Sequence, residues 1–271
     1  MSVFILFMLA LTAGTLSTLF WIPEKDLGRG YFQLNALIVL GFLALVVAVV
    51  VLHPIEPFGP QDHMGIVLLW TAVVTAFLYY GAVWVESWRW VRIPAALALI
   101  VVTWALLLSG THLIEALTPL PYRQVLLVSS LLSSALILGW SLVTMLLGHW
   151  YLISPKLDFR HLIVFCRVLT AVVGVRIVVV CASLIAARSV DPFVTPHPWG
   201  MLVDLGGQGM FFWFRLLWGL VIPLLLALMS LHCARNHSNQ SATGILYVLL
   251  VGSVIGEITA LYLSVTTGVP I

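Results

Sequence analysis

The chain has 271 residues, of which 62% are hydrophobic and only 8% are charged, and its mean hydropathy is +1.14. Because a soluble domain carries about 25% charged residues, this chain has too little polar surface to cover a globule in water. The formal net charge of +2 provides neither a basic tract for nucleic acid nor a polybasic membrane anchor. The composition predicts an all-α polytopic membrane protein, since helices satisfy their own main-chain hydrogen bonds in lipid.

Apolar runs long enough to cross a bilayer recur along the chain, and turns rich in Pro and Gly separate them. The first run has no basic region before it and no small-residue cleavage site after it, which indicates a retained helix rather than a signal peptide. No loop is long enough for a soluble domain and no internal repeat is evident. We therefore expect residues 1–271 to form a single transmembrane domain, an eight-helix bundle. The predicted spans are residues 3–21, 31–53, 64–85, 93–110, 124–152, 161–187, 211–234 and 241–266.

The loops differ in their content of Lys and Arg, which sets the orientation of a membrane protein. Seven of these residues follow spans one, three, five and seven, and only two follow spans two, four and six. We therefore expect the odd-numbered loops in the cytoplasm and both termini on the non-cytoplasmic side of the inner (cytoplasmic) membrane. The seven are Lys25, Arg29, Arg89, Arg92, Lys156, Arg160 and Arg235, and the two are Arg123 and Arg188.

One arginine and one glutamate each stand alone in a long apolar span. Arg176 lies about fifteen residues into the sixth span, and Glu257 lies at almost the same depth in the eighth. An unpaired charge at the bilayer centre costs several kcal/mol, so unlike charges at matched depth are expected to pair. Arg215, about one turn inside the seventh span, is expected to join them. The sequence thus predicts a buried Arg176–Glu257 salt bridge near mid-depth.

Glu257 belongs to a stripe of small and polar residues at helical spacing, which indicates that this face of the eighth span meets protein rather than lipid. A purely structural role is the alternative, because a buried ion pair can serve only to fix helix register and Arg215 can snorkel toward the interface. Arg167 can snorkel too, and it lies about half a revolution from Arg176, outside that cluster. The stripe consists of Ser253, Glu257, Ala260 and Ser264.

None of the eight histidines lies in the middle of a predicted span, so the sequence offers no well-placed pair for a b-type haem within the bilayer. The three cysteines lie in apolar segments without a Cys-x-x-Cys spacing, which is typical of small buried hydrophobic residues. We expect no metal site and no covalently bound cofactor. The serine-rich run 129–134 is interpreted as a close-packing surface of the fifth span, with a hydroxyl relay as the alternative.

Two segments near the end of the chain resemble a family of membrane anchors. Phe212-Trp-Phe-Arg-Leu-Leu-Trp-Gly-Leu-Val-Ile-Pro-Leu-Leu-Leu226 is similar to the Trp…Gly-Leu-x-x-Pro-Leu-x-Leu pattern of quinol-interacting anchors of the polysulfide reductase and dimethyl sulfoxide reductase superfamily. Val254-Ile-Gly-Glu-Ile-Thr-Ala-Leu-Tyr262 resembles the closing Gly-Glu helix of that group, with Ala260-Leu261 where the family has an arginine. Gly148-His-Trp-Tyr-Leu-Ile-Ser-Pro155 is similar in style to the end of one of its middle helices. The span count and the outward termini agree with this resemblance.

The resemblance implies a quinone- or quinol-interacting membrane subunit of a respiratory electron-transfer complex. Such a subunit has no redox cofactor of its own, and its partner subunits carry iron–sulfur or haem centres. In this role Glu257 and Arg176 are the expected catalytic residues, and Arg215 and His112 are the expected contacts of the quinone. A carboxylate desolvated within the membrane is suited to accept the quinol proton, while an arginine orients an oxygen.

Three other functions are open at this point. One is an intramembrane enzyme or haem cytochrome, for which the ligands are poorly placed. The same Arg176–Glu257 pair could act as the proton relay of a proton-coupled small-molecule transporter, although neither an internal repeat nor broken helices in matching positions mark one. The protein could also be a purely structural membrane subunit of a larger complex, in which every buried charge serves packing.

Overall fold

The computed structural model describes residues 1–21, 27–53, 63–85, 88–114, 120, 122–153, 159–190, 197–204 and 206–271. Within these ranges the regular structure is entirely helical. Eight of the helical segments are long and apolar enough to cross a membrane, which confirms the predicted all-α, multi-pass fold. We number them spans one to eight in chain order.

The helix ends lie within three residues of the predicted ones, except at the start of span four. That helix begins at Trp88 instead of residue 93, because it accommodates Pro94 inside its first turns. Proline removes only one main-chain hydrogen bond there, and the helix continues. The helices of the spans are Ser2–Thr18, Arg29–Leu52, His63–Ala82, Trp88–Leu113, Arg123–Ile153, Arg160–Arg188, Gln208–Leu216 with Ile222–Arg235, and Asn239–Thr267.

Span seven is not a single regular helix. Its two α-helical parts, Gln208–Leu216 and Ile222–Arg235, are joined by the π-helical turn Leu217–Val221. Pro223 lies two residues after this turn and cannot donate a main-chain hydrogen bond, so the regular ladder is interrupted here. The sequence predicted an unbroken helix, and the widened turn is a finding of the structure. Such π-turns occur frequently at functional sites.

The spans pack as two antiparallel groups of four helices. In the first group, spans one and three each contact spans two and four. In the second group, spans five and seven each contact spans six and eight. The two groups meet mainly where span one packs against span five. The same contact pattern thus occurs twice, although no internal repeat is evident in the sequence.

Spans one and five form the centre of the molecule, with 72% and 67% of their most apolar windows buried. They approach so closely that a Cβ atom added to Gly139 would lie 1.9 Å from the main-chain carbonyl carbon of Gly14. Only glycine fits at this crossing, because the two helices touch backbone to backbone.

A small second core covers the bundle at the end where span one begins and span eight ends, which we call the terminal end. Gly268 follows span eight with a φ of 71°, a left-handed conformation that glycine favours, and turns the chain back. The short helix Pro198–Val203 of the long connection also packs here. The buried residues of this core are Leu120, Ala187, Val190, Leu202, Phe212, Leu263, Val269 and Ile271.

Candidate functional site

Arg176 and Glu257 form a bidentate salt bridge inside the bundle. Nη2 of Arg176 donates to Oε2 of Glu257 at 2.8 Å, and Nε donates to Oε1 at 3.1 Å. Both side chains are fully buried. The salt bridge predicted from the matched depth of the two residues is therefore confirmed, and the rest of the Glu257 stripe is buried with it.

The remaining donors of Arg176 are bonded as well. Nη1 donates to the main-chain oxygen and the hydroxyl of Ser130 and to the hydroxyl of Ser133, at 3.0 to 3.1 Å. Nη2 also donates to the main-chain oxygen of Ile271 at 3.1 Å. Because every nitrogen of the guanidinium has an acceptor, Arg176 is held in one position between spans five and eight.

The interpretation of the serine run 129–134 as a packing surface is therefore incomplete. Ser130 and Ser133 line the ion cluster, and the hydroxyl of Ser133 also donates to the main-chain oxygen of Ser130. The sequence does not distinguish a hydroxyl that faces a buried arginine from one that bonds only to its own helix. The depth of these serines in the bundle could have identified them. Ser130 lies seven residues into span five, and Arg215 lies seven residues into span seven, so the two residues are at a similar depth.

Arg215 binds the same carboxylate but leaves most of its donors unpaired. Its Nη2 donates to Oε1 of Glu257 at 2.7 Å, so the prediction that it joins the cluster is confirmed. Nε and Nη1 have no hydrogen-bond partner among the described residues, although the side chain is only 1% exposed. The buried hydroxyls of Ser134 and Ser253 are also without a partner in the described part of the chain.

Two glycines allow spans seven and eight to meet directly against Arg215. A Cβ atom added to Gly219, in the π-turn, would lie 2.0 Å from Nη1 of Arg215. A Cβ atom added to Gly256 would lie 2.3 Å from the Cα atom of Gly219. Main-chain atoms of these glycines therefore cover this edge of the guanidinium, and we call the contact between them the glycine seam.

Arg176 lies near the middle of span six, as predicted, and the cluster extends from there toward the terminal end. Arg215 is seven residues, or about 10 Å, from the start of span seven, and Glu257 is ten residues, or about 15 Å, from the end of span eight. Arg215 is thus two turns inside its helix instead of the predicted one, because span seven begins at Gln208 and not at residue 211.

The structure does not bring His112 to this cluster. His112 is exposed next to the last residue of span four, and the hydrogen bonds described for Glu257, Arg176 and Arg215 do not involve it. The reason is the position of span four, which packs against spans one, three and five. Arg167 is exposed on span six, in agreement with its predicted place outside the cluster.

The described cavities lie away from the cluster. An apolar groove of about 780 Å³ runs between spans two and three, and a pocket of about 400 Å³ lies at the end opposite the terminal end, beside Tyr151, Phe159 and His237. In the described ranges, no group of three or more His, Cys, Asp and Glu side chains is placed to hold a metal ion. The Arg–Glu–Arg cluster is therefore the candidate site because of its charges and unpaired donors.

Chemically, the cluster combines two guanidinium groups with one carboxylate in a buried environment, and it offers N–H donors suited to an oxygen atom of a ligand. No known protein family matches the chain, and no curated protein sequence matches it. The functional interpretation consequently depends on the residues and geometry of this cluster.

Proposed function

We propose that the protein is a quinone- or quinol-interacting membrane subunit of a respiratory electron-transfer complex, and that Arg215 contacts the quinone headgroup. The observation that carries the proposal is the pair of unpaired N–H donors on a buried arginine inside a membrane protein. The resemblance of residues 212–226 and 254–262 to the polysulfide reductase and dimethyl sulfoxide reductase anchors supports it, because these segments contribute Arg215 and Glu257 to the cluster.

In this proposal, one of the two unpaired nitrogens of Arg215, Nε or Nη1, donates a hydrogen bond to a quinone oxygen. As the headgroup is reduced, negative charge grows on that oxygen, and fixed cationic donors in a water-poor site stabilise it more than water would. Iron–sulfur or haem centres in partner subunits would supply or accept the electrons.

Glu257 and Arg176 then act through Arg215. Arg176 anchors the carboxylate with two hydrogen bonds, and the carboxylate fixes Nη2 of Arg215 at 2.7 Å. Glu257 accepts hydrogen bonds from both guanidinium groups, so positioning Arg215 is a better-supported role for it than direct acceptance of the quinol proton.

The glycine seam lies between lipid and Arg215. Trp218, Val221 and Ile258 are exposed on spans seven and eight around this seam and are expected to face lipid, the phase in which quinones dissolve. Gly219 and Gly256 place no side chain across the seam, and the π-turn interrupts the regular ladder beside it. Because the two helices are in contact at the seam, a headgroup reaches Arg215 in this proposal only when spans seven and eight separate there.

The proposal is tested by labelling the purified complex with a photoreactive quinone and by measuring quinol turnover. We expect cross-links in spans seven and eight near the seam, and we expect Arg215→Gln to lower turnover by about 100- to 1000-fold, the effect of losing an oxyanion-type donor. Arg235→Gln is the matched control, because Arg235 is exposed on the same span. Unchanged turnover in a folded Arg215→Gln protein, with cross-links elsewhere, would reject the proposal.

A proton-coupled small-molecule carrier is the second candidate, and one observation favours it. The repeated packing of four spans in each group is an arrangement from which transporters are often built. Proteoliposomes that contain only this chain separate the candidates, since a carrier would couple solute uptake to a pH gradient without quinone or partner subunits.

A further inference from the structure

One face of span five is polar over most of its length. Buried residues recur on this face at alternating steps of four and three, which places them on a single stripe of the helix. Small or polar side chains occupy each of these positions except Ile137. The positions are Ser130, Ser134, Ile137, Ser141, Thr144, Gly148 and Tyr151. This stripe meets span eight, and we call the contact between them the polar interface.

The polar interface connects the Arg–Glu–Arg cluster with the other end of the bundle. A Cβ atom added to Gly148 would lie 2.8 Å from the hydroxyl oxygen of Thr243. Because the two helices are antiparallel, counting 14 residues from this contact leads to Ser134 on span five and to Glu257 on span eight, about 21 Å away. The count agrees with the cluster itself, since the guanidinium that binds Glu257 also binds Ser133.

Three hydroxyls on the polar interface have no hydrogen-bond partner in the described part of the chain. They belong to Ser134, Thr144 and Ser253, which are at most 1% exposed. Buried hydroxyls elsewhere in the protein behave differently, because Thr12 and Thr15 of span one donate to the main chain of their own helix. Buried polar groups that lack a protein partner are usually satisfied by ordered water. The three hydroxyls therefore indicate sites for single water molecules between spans five and eight.

The polar groups of this interface follow one another at short intervals. Measured along the helix axis from Glu257 toward the opposite end, Ser253 lies at about 6 Å, Ser141 at about 10 Å, Thr144 at about 15 Å and Thr243 at about 21 Å. One water molecule can join two oxygen atoms up to about 5.5 Å apart, because each O–H···O hydrogen bond spans about 2.7–2.8 Å. One or two water molecules per interval therefore complete a hydrogen-bonded chain.

The two ends of the polar interface differ. At the end opposite the terminal end, the next pair in the same count is Tyr151 and Gln240, which line the pocket of about 400 Å³. Gln240 is exposed, so the chain of polar groups meets water here. Toward the terminal end, Val269 and Ile271 are buried in the second core. Between that core and the cluster, the main-chain oxygen of Ile271 is bonded to Arg176.

We propose that the polar interface is the proton route between the Arg–Glu–Arg cluster and the water phase at the opposite end, which is the predicted cytoplasmic side. Each hydroxyl or water molecule accepts one proton and passes another on, so the relay itself is unchanged by a transfer. One proton crosses for each quinol O–H bond that is broken or formed, and the electrons pass separately through the partner subunits. The source of the protons rests on the proposed function, whereas the water chain does not.

The functional test replaces Thr144 by valine, which removes the hydroxyl and keeps the branched shape. We expect Thr144→Val to lower quinol turnover of the purified complex by about 100-fold, the lower end of what proton transfer by a positioned group contributes. The solvent deuterium isotope effect on turnover should increase, because proton transfer becomes rate-limiting, and a packing role would not change it. Thr15→Val is the matched control, since Thr15 is equally buried and its hydroxyl is bonded to its own helix.

A high-resolution crystal structure of the unchanged protein provides a readout that needs neither quinol nor a variant that folds. We expect ordered water within hydrogen-bond distance of Thr144 Oγ1 and Ser253 Oγ. A dry interface would overturn the route whether or not quinol is oxidised, and so would a Thr144→Val complex with unchanged turnover and isotope effect. Ordered water at both hydroxyls in a complex without quinol turnover would support the water chain and reject the proposed function.

Discussion

Arg176 and Arg215 share one carboxylate but differ in how completely their donors are bonded. Arg176 is bonded to side chains of spans five and eight, through Ser130, Ser133 and Glu257, and to the main-chain oxygen of Ile271. Arg215 has a single hydrogen bond in the described structure, to Glu257. The saturated arginine is suited to fix the cluster, and the unsaturated one is suited to meet a ligand.

We expect Glu257→Gln to destabilise the protein by about 3–5 kcal/mol, because removing one partner of a buried ion pair leaves the other charges uncompensated. The measurement is the free energy of unfolding in mixed detergent micelles titrated with sodium dodecyl sulfate. Asp204→Asn is the matched acid-to-amide control, since Asp204 is exposed, and it should change the free energy by less than about 0.5 kcal/mol. Equal effects of the two substitutions would mean that the salt bridge contributes little.

The sequence predicted the ion pair but only part of its surroundings. Arg176 and Glu257 could be paired because depth along a helix follows from residue count and each charge stands alone in its span. Ser130 and Ser133 were missed because small polar residues serve packing and hydrogen bonding with the same pattern. The contact with Ile271 was missed because it depends on a tertiary reversal at Gly268 that no periodicity records.

At the scale of the element, span seven combines a π-turn with two residues that touch the cluster. Arg215 precedes the turn and Gly219 lies within it, against the guanidinium. A regular helix would present these positions differently, because a π-turn adds a residue to one turn and rotates the later residues about the helix axis. The irregular turn and the glycine seam are therefore parts of one local arrangement that places Arg215 against Glu257.

Gly219→Ala should displace Arg215 from Glu257, because the added Cβ would lie 2.0 Å from Nη1. We expect a loss of stability, although alanine favours helix more than glycine by about 1 kcal/mol. The matched control is Gly244→Ala in span eight, where an added Cβ meets nothing within 4 Å. The thermal unfolding midpoint in detergent is measured for both variants. A Gly219→Ala protein as stable as Gly244→Ala would show that the glycine seam can accommodate a methyl group.

The helix boundaries show which features of the spans can be predicted from the sequence. Apolar length and Pro/Gly turns located the spans well, because lipid imposes a minimum helix length. The start of span four was predicted too late, at residue 93 instead of Trp88, since a proline near a helix start is compatible with either boundary. The π-turn left no distinct signal, because Leu217–Val221 is apolar and resembles any other part of a spanning helix.

At the scale of the whole molecule, the two groups of four spans repeat one contact pattern and are joined mainly by the packing of span one against span five. Within each group, the first and third spans both contact the second and fourth. The three side chains of the Arg–Glu–Arg cluster all belong to the second group. The sequence could not reveal this arrangement, because equivalent helix packing in lipid needs only small residues at the crossings and not a shared sequence.

We expect the chain to assemble from two separately expressed pieces cut between residues 114 and 123. Each piece would hold an even number of spans, so each can insert with both of its ends on one side. The expected result is co-purification of the untagged second piece with a tagged first piece. Recovery of the tagged piece alone would contradict this prediction.

The loop charges predict that both termini lie on the non-cytoplasmic side. Alkaline phosphatase fused after Ile271 should therefore be active, and a fluorescent protein fused after Ile153, at the end of span five, should fluoresce. The opposite pattern of activity would mean that the predicted orientation is wrong and that the whole bundle is inserted the other way round, with the same packing.

The backbone contact between Gly14 and Gly139 sets an order of events during biosynthesis. Residue 139 follows residue 14 by 125 positions, so at about 5–20 residues per second the ribosome needs about 6–25 s to deliver the second glycine after the first. During that interval span one is inserted without the neighbour that it touches most closely. Newly made chains must therefore keep this glycine face in lipid or against the insertion machinery, and the centre of the bundle closes only after the first four spans have left the ribosome.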